Sequence, residues 1–155
     1  MDDARPRRRV ESAPAALWTI ALAALAPFPI SAVVYGYGPA AYARPALTVL
    51  LSWTALMVAF LGGVRWGLET RERKPRAYRL AFSALTAAAA LLVLLGRGRL
   101  PDVWILGGFV AVFLVQWLFD HQTPDTPSRY PTLSTAITAG ACISLGLALE
   151  KALNA

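Results

Sequence analysis

Five long apolar segments, each bounded by charged or turn-forming residues, dominate the sequence. Each approaches the roughly 20 residues that an α-helix needs to cross the hydrocarbon of a bilayer. The segments between them, such as residues 38–45, are short and rich in glycine, proline and arginine, which favours tight turns. The pattern predicts an all-α polytopic membrane protein, a bundle of five transmembrane helices with short loops. The predicted spans are about 17–37, 46–68, 80–96, 103–119 and 132–149.

Both ends of the chain are polar. Residues 1–16 carry four arginines and two prolines and are predicted to be a disordered basic leader, and residues 151–155 a short tail. The first apolar stretch resembles a signal peptide as far as Ala26, yet it continues well beyond, and Pro27 would follow the scissile bond. A retained span, bent at Pro27 and Pro29, is the better interpretation. A neighbouring helix or a hydroxyl must then satisfy the carbonyls that these prolines free.

Composition and charge agree with a membrane location. Hydrophobic residues make up 57% of the chain and the mean hydropathy is +0.50, too apolar for an ordinary soluble domain. Because basic loops stay in the cytoplasm or its equivalent, the charge bias predicts a cytoplasmic N-terminus and an external C-terminus. No nucleic-acid-binding motif accompanies the basic residues. Ten basic residues fall on one side (Arg5, Arg7, Arg8, Arg9, Arg71, Arg73, Lys74, Arg76, Arg79, Arg129) and four on the other (Arg44, Arg97, Arg99, Lys151).

Small residues recur at helical spacing in two of the predicted spans. The second span ends in F-L-G-G-V-R-W-G at residues 60–67, where two glycines four residues apart share one helical face. The fifth span carries a stripe of small residues at four-residue intervals. Such residues let neighbouring helices approach closely, within this chain or in another one. The predicted packing positions are Gly62, Gly63, Gly67, Gly140 and Ser144.

Arg65 is the one charged residue predicted to lie near the membrane interior. In the five-span topology Arg65 and Asp120 reach the same interface at similar depth, so we hypothesise an ion pair, with Glu69 as a competing carboxylate. Alternatively, Arg65 extends to lipid phosphates while Asp120 only ends its helix. A ligand or proton site that also uses His121 is a third interpretation.

The loop after the second span is strongly basic and is predicted to contact anionic headgroups. Trp53, near the middle of the same span, is too deep for the interfacial aromatic belt and is expected to bridge to a neighbouring helix or a lipid. The predicted headgroup contacts are Arg71, Arg73, Lys74, Arg76 and Arg79.

Candidate chemistry is sparse. Cys142 is the only cysteine and His121 the only histidine, so a multi-cysteine or two-histidine metal site cannot form within one chain. No catalytic or nucleotide-binding motif occurs. We therefore predict neither enzymatic activity nor a cofactor.

The F-L-G-G-V-R-W-G run at residues 60–67, together with the Pro27-x-Pro29 span, resembles an uncharacterised membrane family, a domain of unknown function that contains bacterial proteins and the mitochondrial transmembrane protein 69. This resemblance implies a small inner-membrane protein and brings no established activity. The expected role is an accessory, assembly or stabilising subunit, with a membrane-protein partner or a second copy. The alternative is an oligomeric carrier or channel for a small anion or lipid headgroup that uses Arg65.

Overall fold

The computed structural model describes residues 15–122 and 130–154, and every regular element in those ranges is α-helical. Five segments are long and apolar enough to cross a membrane, with α1 and α2 together forming the first, so the predicted five-span bundle is confirmed. The predicted leader up to residue 14 and residues 123–129, with Arg129, lie outside the described residues. The helices are α1 (Ala15–Leu25), α2 (Pro27–Tyr37), α3 (Ala40–Thr70), α4 (Ala77–Leu95), α5 (Asp102–His121) and α6 (Tyr130–Leu153).

The first span is interrupted at Ala26, where α1 passes into α2. Pro27 and Pro29 lack the N–H groups that would continue the hydrogen-bond ladder, although Ala26 itself keeps helical dihedral angles (φ −54°, ψ −39°). The indole N–H of Trp53 donates to the Ala24 carbonyl at 2.9 Å. A neighbouring helix thus satisfies a carbonyl beside the break, which is also the bridging role expected of Trp53.

The second span begins earlier than predicted. Helix α3 starts at Ala40 directly after Pro39, so the turn predicted for residues 38–45 is wrong beyond Pro39, and Pro45 lies inside the helix. Proline is tolerated there because it falls in the second helical turn and removes a single backbone hydrogen bond.

The interior of the bundle is divided by polarity. Residues 71–76 connect α3 to α4, and we call the end of the bundle that carries them the basic end. Away from it, aromatic and leucine side chains pack tightly: Phe28 meets Phe113 edge-on with ring centroids 6.2 Å apart, and Leu47 is fully buried. Towards the basic end the buried residues are largely polar or charged, including Arg65, Glu69, Arg79, Ser83, Thr86, Gln116, Asp120 and Ser134.

Candidate functional site

Arg65 and Asp120 form a buried ion pair between α3 and α5. The Nη1 atom of Arg65 donates to Oδ1 of Asp120, and the two side chains are only 6% and 1% exposed. Ser134 of α6 donates through Oγ to the other carboxylate oxygen at 2.9 Å. The hypothesised pair is therefore present, and burial excludes the alternative in which Arg65 extends to lipid phosphates. Ser134, which the sequence did not single out, joins a third helix to the pair.

An aromatic ring covers the Arg65 guanidinium. Its central carbon lies 4.4 Å from the centroid of the Phe119 ring, a cation–π contact. Phe119 in turn stacks on Phe82 of α4, with centroids 3.7 Å apart and an interplanar angle of 15°. The charge of Arg65 is thus balanced by a carboxylate and shielded by an aromatic face. Side chains of α3, α5, α6 and, through the stacked rings, α4 meet around this cation.

Glu69 does not compete for Arg65, because it binds the start of α4. Its Oε2 accepts from Arg79 Nη1 at 3.2 Å, and its Oε1 accepts from the backbone N–H of Arg76 at 2.8 Å. Both side chains of the Glu69–Arg79 pair are less than a tenth exposed. The Glu69 carboxylate therefore links the end of α3 to the start of α4 across the connecting loop.

The basic loop is divided between surface and interior. Arg71, Arg73, Lys74 and Arg76 are exposed, and their contact with headgroups stays a prediction. The headgroup contact predicted for Arg79 is wrong, because its side chain turns inward to neutralise a buried carboxylate.

His121 stays apart from the ion pair. It is exposed, and its ring lies 4.4 Å from that of Trp117, whereas the preceding Asp120 is buried. Successive helical residues point about 100° apart, which separates the two side chains. The structure thus gives no Asp120–His121 relay. Among the described residues, no group of three or more His, Cys, Asp or Glu is placed to hold a metal ion.

Gln116 is a second buried polar residue near the ion pair that the sequence analysis missed. It is 2% exposed, and neither its Nε2 nor its Oε1 has a hydrogen-bond partner among the described residues. Gln116 lies one turn before Asp120, so it faces the interior on the same side of α5. A glutamine within an apolar span, four residues from a predicted site carboxylate, is the signal that would have identified it.

The predicted packing residues divide into two groups. A Cβ added at Gly62 would lie 3.0 Å from the Ser83 carbonyl of α4, and one at Gly140 would lie 2.6 Å from Leu25 of α1, so both glycines permit close helix contacts. Ser144 is buried and bonds back to the Gly140 carbonyl at 2.8 Å. Gly63 and Gly67 have open space around them and face outward.

A third ion pair, absent from the sequence analysis, lies at the opposite end of the bundle. Arg44 of α3 donates to Asp102, the first residue of α5, at 3.0 Å. The Arg44 side chain is 79% exposed, so this pair contributes little to stability.

Together, five apolar spans and a buried polar end whose charges are paired define a multi-pass α-helical membrane protein. The family model described as protein of unknown function (DUF3429) matches residues 13–150, and the chain belongs to that family. Comparison with curated proteins and with solved structures finds no match. The narrower resemblance to mitochondrial transmembrane protein 69 stays a prediction.

Proposed function

We propose that the protein is a non-catalytic accessory, assembly or stabilising subunit of a complex in the bacterial inner membrane. The observation that carries the proposal is the outward face of α3 near the basic end. Ala59, Gly63 and Gly67 follow one another there at four-residue intervals, all exposed, and a Cβ at either glycine would meet no atom within 4 Å. Because small residues are what lets helices pack closely in lipid, a helix of another chain can dock on this seam.

The arrangement of buried charges supports a structural role. Arg65 pairs with Asp120, and Glu69 with Arg79, so each of these charges is balanced inside the chain. The carrier or channel for a small anion or lipid headgroup has less support. Such a carrier needs the positive charge of Arg65 to bind its substrate, and that charge is already paired with Asp120.

The distribution of surface charge supports the proposed orientation. Arg71, Arg73, Lys74 and Arg76 are exposed at the basic end, where α1 also begins. Basic residues next to spans are retained in the cytoplasm. We therefore place the N-terminus in the cytoplasm and the C-terminus outside.

The test is purification of a tagged chain at native level in mild detergent, followed by native mass spectrometry. A membrane-protein partner in fixed stoichiometry is expected, and Gly63→Leu should abolish its retention by filling the seam. Gly146→Leu is the matched control, because Gly146 is also exposed, on α6, with open space around it.

A chain that is isolated alone, or only with copies of itself and a retained small anion, would contradict the proposal. If Arg65→Lys then abolished anion flux in vesicles while helicity was unchanged, the carrier would replace the accessory subunit.

A further inference from the structure

An apolar groove of ≈ 720 Å³ opens on the surface between α1, α3 and α6. Twelve of its thirteen lining residues are apolar, and the thirteenth is Ser134, whose hydroxyl is already bonded to Asp120. The volume lies within the range of about 300–1,000 Å³ that is usual for small-molecule sites. The groove is therefore suited to a hydrocarbon ligand.

The groove is closed at the end away from the basic end. There the Trp53 indole bonds to the Ala24 carbonyl across α3 and α1, and Leu25 packs against Gly140 of α6. Towards the basic end the groove is open to the surface, where Ile20 of α1 is 66% exposed. The groove thus has one closed end and opens along the bundle.

Its length matches one leaflet of a bilayer. On α3 the lining runs from Trp53 to Val64, eleven residues later, which is about 16 Å along a helix. Half of the roughly 30 Å hydrocarbon core is about 15 Å. A transmembrane helix of another protein would need both leaflets, whereas a lipid acyl chain needs only one.

A cation follows the groove at the open end. Arg71 directly follows the last residue of α3 and keeps helical dihedral angles (φ −83°, ψ −14°). It lies seven residues after Val64, hence near the same helical face and about 10 Å farther on. Its side chain is exposed, and no ion pair within the described ranges involves it. A phosphate in the headgroup layer would meet this guanidinium.

The geometry points to a binding site for one anionic phospholipid, with an acyl chain in the groove and its phosphate at Arg71. The groove shares no residue with the outward seam of Ala59, Gly63 and Gly67, and the site does not depend on the proposed accessory role. In this site the groove retains the lipid, and Arg71 gives a preference for an anionic headgroup over a zwitterionic one. Separate substitutions can therefore test the two properties.

Native mass spectrometry of the full chain, with phosphatidylglycerol and phosphatidylcholine offered in equal amounts, tests the site. We expect one lipid retained per chain and a preference of about fivefold for phosphatidylglycerol, since one arginine near an anionic surface contributes about 1 kcal/mol. Ala21→Trp and Ala23→Trp fill the groove and should lower retention of both lipids. Arg71→Ala should remove the preference, because it lowers phosphatidylglycerol retention more than phosphatidylcholine retention.

The controls are Ala88→Trp, at an exposed position of α4, and Arg73→Ala, in the same loop; both should behave as the unaltered chain. Circular dichroism establishes that each variant is folded. Equal retention by the Ala21, Ala23 and Ala88 variants would overturn the site, as would equal binding of the two lipids by the unaltered chain. A dimer that Ala21→Trp dissociates would show that a second copy fills the groove.

Discussion

Arg65 carries a permanent charge although it is only 5% exposed. The free-energy cost of burying this charge must be offset by the partners around it. Asp120 balances the charge, Ser134 satisfies the second carboxylate oxygen, and Phe119 covers the guanidinium face. Removal of one ion is therefore far more damaging than removal of both, because a single substitution leaves an unbalanced charge in the interior.

Asp120→Leu is expected to destabilise the bundle by about 3–5 kcal/mol, and the double variant Arg65→Met/Asp120→Leu to recover most of that loss. Thermal unfolding in detergent, followed by circular dichroism, measures both. Ser134→Ala serves as a milder comparison, at about 1 kcal/mol. Strictly additive effects of the Arg65 and Asp120 substitutions would show that the pair is not energetically coupled.

Gln116→Leu is expected to stabilise the protein, by about 1–2 kcal/mol, because an amide without partners is exchanged for an apolar side chain of similar size. The same unfolding assay detects this gain. Leu106→Gln, which introduces an amide at a fully buried position of the same helix, should have the opposite sign. A loss of stability in Gln116→Leu would mean that the amide is bonded in the membrane.

Among the helices, α3 has two neighbouring glycines with opposite surroundings. Gly62 abuts the Ser83 carbonyl, whereas Gly63 faces outward. We expect Gly62→Leu to disrupt the α3–α4 contact and lower the unfolding temperature by several degrees, while Gly63→Leu leaves the isolated chain unaffected. Equal unfolding temperatures for the two variants would contradict the close approach of α4 at Gly62.

The pattern of apolar segments was sufficient to predict five spans, since span length and composition are local properties. It was not sufficient to predict which face of each helix packs inside the bundle. Gly62, Gly63 and Gly67 are equivalent in sequence, and only the position of α4 decides which one is buried. The start of α3 was misjudged for a related reason: proline and glycine mark turns in water, whereas Pro45 sits inside a helix that lipid favours.

An ion pair of the candidate site could be predicted where the two residues reach the same depth in the membrane. It could not be predicted where several neighbouring residues could each provide the partner. Arg65 and Asp120 were identified from topology alone. Arg79 is one of several adjacent basic residues, and nothing in the sequence distinguishes the one that turns inward to Glu69. Gln116 carries no charge, so a search for ionisable residues passes over it.

For the bundle as a unit, the separation of an apolar half from a polar half indicates how it sits in the bilayer. The polar half lies at the end with the exposed basic loop, so buried charges are near one interface. Burial close to an interface is less costly than burial at the centre of the bilayer, which agrees with two ion pairs at this end.

The orientation can be measured with single cysteines in a Cys142→Ser background. Lys74→Cys and Arg99→Cys are both exposed, at opposite ends of the bundle. In intact cells an impermeant maleimide should label Arg99→Cys and leave Lys74→Cys unlabelled until the membrane is opened. The reverse pattern would invert the proposed topology.

The two buried ion pairs also differ in when they can form during synthesis. Glu69 and Arg79 are 10 residues apart, so the α3–α4 hairpin emerges with its charges already balanced. Arg65 must wait for Asp120, 55 residues later, which at about 5–20 residues per second is a delay of roughly 3–11 seconds. During that interval α3 carries an unbalanced cation at the membrane edge, and a ribosome stalled before α5 would leave it exposed to quality-control proteases.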